Sequence, residues 1–408
     1  MTIVIIGTGH AGVTAALELR QADYSGRLVV VGEEAQLPYD RPQLSKAVLL
    51  GEVKTCPLLH GPETFSRLGI EILNGVRAQQ IDRASRTVWL STGDRLAYDK
   101  LLLATGGRAR SLNIPGGHHA VTLRSYIDAT RLSGRLRRPG HLTVVGAGVI
   151  GLEVAASART RGWSVTVLEY GDRPLARVVP PELGLFCASL HESAGVELRF
   201  DTHVECIETS SKGRFRVRTP DDTLTTNLIV AGVGMQPNME LADSAGIRVE
   251  DAIVVDERGQ TNDPFIFAAG DACRFFYPRA STHIRMETWQ HAARHAAIVA
   301  RNMMGGTLAY NDIPWLWSDQ YDVNIQVLGF PLQASHTVLR GTIDSRKFVM
   351  LHLTDDRLIG ATLVNMGREM RPCKLLIESD RELDVEKLRD ISQPLRLYAA
   401  QVNEESVI

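Results

Sequence analysis

The chain has 408 residues, 44% of them hydrophobic and 23% charged, and a formal net charge of −2. These values are those of a soluble globular protein of two or three domains. Near-neutrality gives no electrostatic case for nucleic acid or a membrane as partner. No apolar run approaches the roughly 20 residues needed to span a bilayer. The start Met1-Thr2-Ile3-Val4 enters a strand with no basic leader, so a cytoplasmic location is expected.

The first predicted strand, residues 3–6, runs into Gly7-Thr8-Gly9-His10-Ala11-Gly12, and a helix is predicted over 11–21. In this fingerprint the first glycine makes a tight turn. The second lets backbone approach a pyrophosphate, and the third lets helix pack on strand. Free N–H groups and the positive end of the helix dipole then face the phosphates. A second strand, 27–31, delivers Glu33 just past its end. The stretch Leu37-Pro38-Tyr39-Asp40-Arg41-Pro42-Gln43-Leu44-Ser45-Lys46 is too rich in turn formers to begin as a helix and reads as a loop leading into one. Residues 100–104 form an apolar strand ending at Ala104-Thr105-Gly106-Gly107.

The plan then repeats. Residues 142–145 lead into Gly146-Ala147-Gly148-Val149-Ile150-Gly151, followed by a helix over 149–161 and a strand over 164–168 that delivers Glu169. A further strand, 227–233, ends in Gly234-Met235-Gln236-Pro237-Asn238. Residues 265–269 form another, closed by Gly270-Asp271, and a helix follows over 291–304. Strands with short polar breaks fill 324–365, and a helix is predicted over 367–379. The expected fold is α/β, with two Rossmann-like nucleotide-binding domains and a C-terminal α+β domain in a glutathione reductase-like arrangement. The boundaries are 1–107 with 239–313, 108–238, and 314–408.

Two fingerprints, each with an acid at the end of the next strand, imply two nucleotide cofactors. Glu33 and Glu169 stand where a carboxylate accepts from a ribose 2′-OH. A carboxylate at 169 repels a 2′-phosphate, which favours NADH over NADPH, although Arg173 is near enough in sequence to blur that preference. Asp271 reads from its position as a helix cap or as a ligand for sugar hydroxyls. Cys56, Cys187, Cys206, Cys273 and Cys373 are scattered without a Cys-x-x-Cys pair, which argues against zinc, an Fe–S cluster or a redox dithiol. His291 and His295 have helical i, i+4 spacing but no acid between them in a metalloprotease pattern. They are expected on a surface or cofactor-flanking helix, and no metal is expected.

Three stretches carry a more specific resemblance: residues 37–46, Arg285-Met286-Glu287-Thr288-Trp289, and Pro314-Trp315-Leu316-Trp317-Ser318-Asp319-Gln320. On these the chain resembles the FAD- and NADH-dependent pyridine nucleotide oxidoreductases. Within them it is similar to the ferredoxin reductase components of aromatic-ring-hydroxylating dioxygenases, relatives of putidaredoxin and rubredoxin reductases. The resemblance implies that FAD is held by Gly7, Gly9, His10, Ala11, Gly12, Glu33, Glu34, Arg41, Lys46, Ala104, Thr105, Gly106, Arg124, Asp271, Glu287, Thr288, Trp289 and Trp317. It likewise implies that NADH is held by Gly146, Gly148, Val149, Ile150, Gly151, Glu153, Glu169, Gly232 and Gly234, with Pro237 beside the nicotinamide. Lys46, Glu153 and Trp317 are the expected catalytic residues, Lys46 pairing with Glu153. His10 and Gln43 depart from the usual residues at their positions.

The implied activity is hydride transfer from NADH to FAD, then single electrons to a [2Fe–2S] ferredoxin, Rieske-type or plant/putidaredoxin-type, that feeds an aromatic-ring dioxygenase. Reduction of a rubredoxin or of a P450-linked ferredoxin is the alternative. A disulfide reductase or NADH oxidase would need a cysteine in the 41–46 stretch, and there is none. An NADH-sensing binding module is disfavoured by the lack of long insertions or basic targeting segments. Arg368, Arg371 and Lys374 fall on or near one predicted helix, where they form either a ferredoxin-docking face or an ordinary solvated one.

Overall fold

The computed structural model describes residues 1–210 and 213–404. The chain divides into two compact units. Met1–Arg41, Thr55–Arg108 and Met235–Asp312 form the first; Pro42–Lys54, Ala109–Gly234 and Ile313–Ile408 form the second.

The first unit is built on a five-stranded parallel sheet in the spatial order Ile266–Ala268, Lys100–Leu103, Thr2–Ile6, Arg27–Gly32, Ile70–Asn74. Thr2–Ile6 and Arg27–Gly32 read as near-continuous apolar runs because a parallel sheet is covered on both faces. Ile3, Val4 and Ile5 are fully buried. The helices His10–Gln21 and Trp289–Met303 share one core through Ala11, Ala15, Ala16, Ala292, Ala296 and Ala300, small residues that let the two backbones approach. A three-stranded antiparallel sheet of Ala78–Asp82, Thr87–Leu90 and Arg95–Ala97 leads into the strand Lys100–Leu103.

The second unit repeats that sequence of parts. Its four-stranded parallel sheet has the order Val196–Arg199, Ser164–Leu168, His141–Val145, Leu228–Ala231. An antiparallel sheet of Cys206–Thr209, Phe215–Arg218 and Thr223–Thr226 again precedes the last of these strands. The same unit holds a five-stranded antiparallel sheet, in the order Trp315–Gln320, Val323–Gly329, Arg357–Val364, Lys347–Thr354, His336–Thr342. The helices Met370–Ser379 and Leu395–Glu404 close its core through Cys373, Leu376, Ile377, Leu395 and Tyr398.

The predicted strands and helices of both nucleotide folds recur with each end within two residues. Other differences are larger. The predicted helix over 367–379 is a turn, Gly367–Glu369, followed by a helix from Met370. The segment Trp315–Gln320 is an edge strand, and its mixed Trp-Leu-Trp-Ser-Asp-Gln pattern conceals the period of two. No helix among the described residues is long and apolar enough to cross a membrane.

Candidate functional site

Each fingerprint divides its three glycines between two jobs. Gly7 has φ +121°, and a Cβ there would lie 2.1 Å from the carbonyl oxygen of Ala104. A Cβ on Gly12 would lie 1.9 Å from the Gly7 oxygen. Gly146 and Gly151 are closed in the same way, by Gly232 O at 2.6 Å and Gly146 O at 2.0 Å. The middle glycines differ. A Cβ on Gly9 would meet nothing within 4 Å, and one on Gly148 only Gly232 O at 3.8 Å. Both have ordinary extended backbone at the helix N-cap, with no side-chain cap and no acid in the first turn. Two open cradles thus face helix N-termini whose N–H groups lack intrahelical partners, a fit to the two pyrophosphates of FAD and NADH.

In the first unit the acids after Arg27–Gly32 part company. Glu33 is 71% exposed and lies 3.8 Å from Arg77. Glu34 accepts from Tyr39 Oη at 2.6 Å and from Arg41 Nη2, while Arg41 Nη1 donates to Tyr39 Oη at 2.8 Å. Burial works against the Arg41 charge, but Tyr39, Glu34 and Asp271 outweigh it and hold the guanidinium pKa above its usual value. Asp271, in the turn Gly270–Ala272, thereby belongs to the same electrostatic cluster. His10 pairs with Asp40 at 3.1 Å and meets the Trp289 ring edge-on. Thr105 and Asn238 exchange hydrogen bonds of 2.6 and 3.0 Å, pinning the turn after Ala104. Thr288 caps its helix by accepting from His291 N, and Glu287 pairs with Arg285.

In the second unit Glu169 bends back on its own loop. Its Oε2 accepts from Ala147 N at 2.5 Å and its Oε1 from Gly171 N at 2.9 Å. Arg173 pairs with Asp172 instead. Gly232 packs on Gly151, 3.0 Å from its prospective Cβ to the Gly151 Cα, and Gly234 has φ +103°. Arg124 precedes a helix with a capping box, and its backbone N–H donates to Asp128.

The same unit assembles the predicted Lys46–Glu153 pair. Lys46 sits in the irregular helical turn Leu44–Val48 with φ −113° and ψ −108°, outside helical geometry. That local distortion is typical of π-type turns at functional positions. Lys46 Nζ lies 3.5 Å from Glu153 Oε1, 3.1 Å from Asp319 Oδ2 and 5.2 Å from the Trp317 ring centre. Trp317 stacks on Trp315 at 5.0 Å. Glu153 is 4% exposed and accepts from Ser45 Oγ and, at 2.7 Å, from Ser318 Oγ. Burial pushes its pKa up, and Lys46, Ser45 and Ser318 oppose that rise. Asp319, Ser45 and Ser318 stand in the stretches that carry the resemblance but have no role assigned there.

All five cysteines are free, and the Cys56 thiol is pushed up to about 11, by burial first and then Glu34, so it is no ready thiolate. His291 and His295 are 0% and 1% exposed and face inward from a helix whose other side carries exposed residues. They stack on each other at 4.9 Å, with Phe275 against His291 at 4.8 Å. Their helix is fully amphipathic, and the two histidines fall on its apolar side with Ala292 and Val299. Among the described residues no cluster of three metal-ligating side chains occurs. Arg371 and Lys374 lie on the helix Met370–Ser379, with Arg368 in the preceding turn.

The family described as pyridine nucleotide-disulphide oxidoreductase matches residues 1–296, and the reductase C-terminal family matches residues 315–399. The chain belongs to the pyridine nucleotide-disulphide oxidoreductase family. It is 37% identical to the anthranilate 1,2-dioxygenase system ferredoxin–NAD(+) reductase component of Burkholderia cepacia, over 97% of this chain and 98% of the relative. It is 35% identical to the putidaredoxin reductase of Pseudomonas putida, over 99% and 98%. Among solved structures, the ferredoxin reductase for the CYP199A2 system from Rhodopseudomonas palustris superposes with a TM-score of 0.94 at 35% identity, covering 98% of this chain and 99% of that one. The reductase fold with its C-terminal domain is therefore shared along the whole chain.

Proposed function

We propose that this protein is an FAD-dependent NADH:ferredoxin reductase, passing electrons singly to a [2Fe–2S] ferredoxin that serves an oxygenase. The observation that carries this reading is the pair of open glycine cradles within a chain similar over its full length to ferredoxin reductases. The relatives include reductases of a dioxygenase system and of putidaredoxin, so the shared partner is the ferredoxin, with the oxygenase downstream. No cysteine lies between Arg41 and Lys46, which disfavours dithiol chemistry. The three-domain division at 1–107 with 239–313, 108–238 and 314–408, and a cytoplasmic location, are part of the proposal.

Bound FAD supplies the one chemical capacity the side chains lack, accepting two electrons together and releasing them one at a time. The first unit holds it: Gly7, Gly9 and Gly12 admit the pyrophosphate, Glu33 takes a ribose, and the Arg41–Glu34–Tyr39–Asp271 cluster supplies a fixed charge. The second fingerprint and Glu169 take NADH. Within the second unit Lys46, held by Glu153 and Asp319, offers a positive charge beside the Trp317 ring.

Two measurements test the parts. Cytochrome c reduction by NADH is expected to be fast only when a [2Fe–2S] ferredoxin is added. Arg371→Glu should then raise the ferredoxin KM severalfold and leave NADH–ferricyanide activity intact, since an exposed charge contributes mainly to docking. Equal loss in both assays removes that helix from the docking face. Separately, Glu169→Ala should narrow the preference for NADH over NADPH. It should also cost about 1–3 kcal/mol of stability, because two loop N–H groups lose their acceptor. An unchanged NADH/NADPH ratio of kcat/KM refutes the ribose assignment.

A further inference from the structure

Glu153 is the end of a longer buried chain of hydrogen bonds. Ser318 Oγ donates to Glu153 Oε1 at 2.7 Å, and Gln320 Nε2 donates to Ser318 Oγ at 3.1 Å. His191 Nε2 lies 2.9 Å from Gln320 Oε1, and Tyr321 Oη lies 3.2 Å from His191 Nδ1. His191 and Gln320 are 0% exposed and Ser318 is 2% exposed. Two strand positions, one turn residue and the helix Pro181–Ser193 contribute these groups.

The direction of every bond follows from the last acceptor. An ionised carboxylate can only accept, so the Ser318 proton points at Glu153 and its oxygen accepts from the Gln320 amide. The Gln320 oxygen then faces His191, which must carry its proton on Nε2. Nδ1 is left as an acceptor, and Tyr321 donates to it. Burial holds the His191 pKa below its usual value, consistent with a neutral ring. Tyr321 opens the two-residue turn between Trp315–Gln320 and Val323–Gly329 with φ +56°, in the left-handed region. Its ring meets His191 edge-on at 5.2 Å.

We propose that His191, Gln320 and Tyr321 are positioning residues whose aligned donors, acting through Ser318, keep Glu153 ionised and turned toward Lys46. The functional meaning of that pair rests on the reading above; its electrostatics do not. The charged groups facing the chain are Lys46 and Asp319 at the carboxylate end, and Arg159, whose charge acts on Tyr321, at the other.

The FAD-loaded wild-type protein, labelled with 15N-histidine, provides the first test. His191 should show the Nε2–H tautomer unchanged from pH 5.5 to 8.5. An Nδ1–H tautomer, or a titration near the free-imidazole value of about 6.5, overturns the proposal. The second test is the rate of trace acetylation of Lys46 at pH 8, relative to the exposed Lys347. His191→Leu and Gln320→Leu should raise that ratio at least about threefold toward the value for Glu153→Gln, because a protonated Glu153 no longer pairs with the Lys46 side chain. His191→Gln, which keeps a donor and an acceptor, should restore the wild-type ratio. A wild-type ratio in both leucine variants, or in Glu153→Gln itself, overturns the proposal. Neither readout involves electron transfer, so a failed ferredoxin assay leaves them standing and their failure leaves that assay standing.

Discussion

Lys46→Met is expected to destabilise the protein by about 3–5 kcal/mol at pH 8 and by much less at pH 5. Removing one member of a buried ion pair leaves the other uncompensated, and that is the scale of the loss. Glu153, 4% exposed, is the member left behind. Burial already raises its folded pKa, and Lys46 is the largest opposing influence, so the substitution raises it further. The folded variant then binds a proton that the unfolded chain, with a carboxylate near pKa 4.3, has lost. Its stability therefore falls as pH climbs from about 4.3 to the folded pKa, and the deficit against wild type opens over that interval. Urea unfolding at pH 5 and pH 8 measures it. The double variant Lys46→Met with Glu153→Gln should recover most of the loss at pH 8, since no buried charge remains. A deficit of the same size at both pH values would mean that the lysine stem, not its charge, supports this region.

Gly9→Val should yield a folded, colourless protein, whereas Gly12→Val should hardly fold. A Cβ at position 12 would lie 1.9 Å from a backbone oxygen, and overpacking of that kind costs at least about 3 kcal/mol. A Cβ at position 9 meets no protein atom, and φ −76° suits any residue, so the expected loss is only about 1 kcal/mol for a poor N-cap. The side chain instead fills space reserved for a pyrophosphate, which should weaken FAD binding at least about 100-fold, or ~2.7 kcal/mol. Gly148→Val should keep its colour and lose reduction by NADH. Flavin content after gel filtration, circular dichroism and anaerobic NADH titration separate the three cases. A Gly9→Val protein that retains stoichiometric flavin removes the first cradle from the cofactor assignment.

Both nucleotide folds were readable because their signals are local. A hydrophobic run, three glycines and an acid all lie within about 30 residues, and the turn geometry of Gly7 and Gly146 admits no other residue type. The second sheets before Lys100–Leu103 and Leu228–Ala231 were not readable, since strands of only three to five residues are too short to declare a period and draw their order from pairing across the sheet. Lys46 and Glu153 are 107 positions apart, and nothing local joins them; family resemblance supplied that pair. Asp319 stands in one of the resembling stretches without a legible role because it sits in a strand whose period is masked by two tryptophans. The burial of His291 and His295 was not legible for a related reason. Spacing places them on one face of a helix, but only tertiary packing decides which face turns inward.

The two cradles differ in readiness. Glu33 stands out in water, whereas Glu169 already spends both carboxylate oxygens on N–H groups of its own loop. Under the proposed assignment a ribose arriving at Glu169 must share acceptors that are engaged beforehand, so part of its binding free energy goes to loosening an internal clasp. At Glu33 it would displace only the looser contact with Arg77. Such a difference suits one dinucleotide that stays through many cycles and another that departs after each.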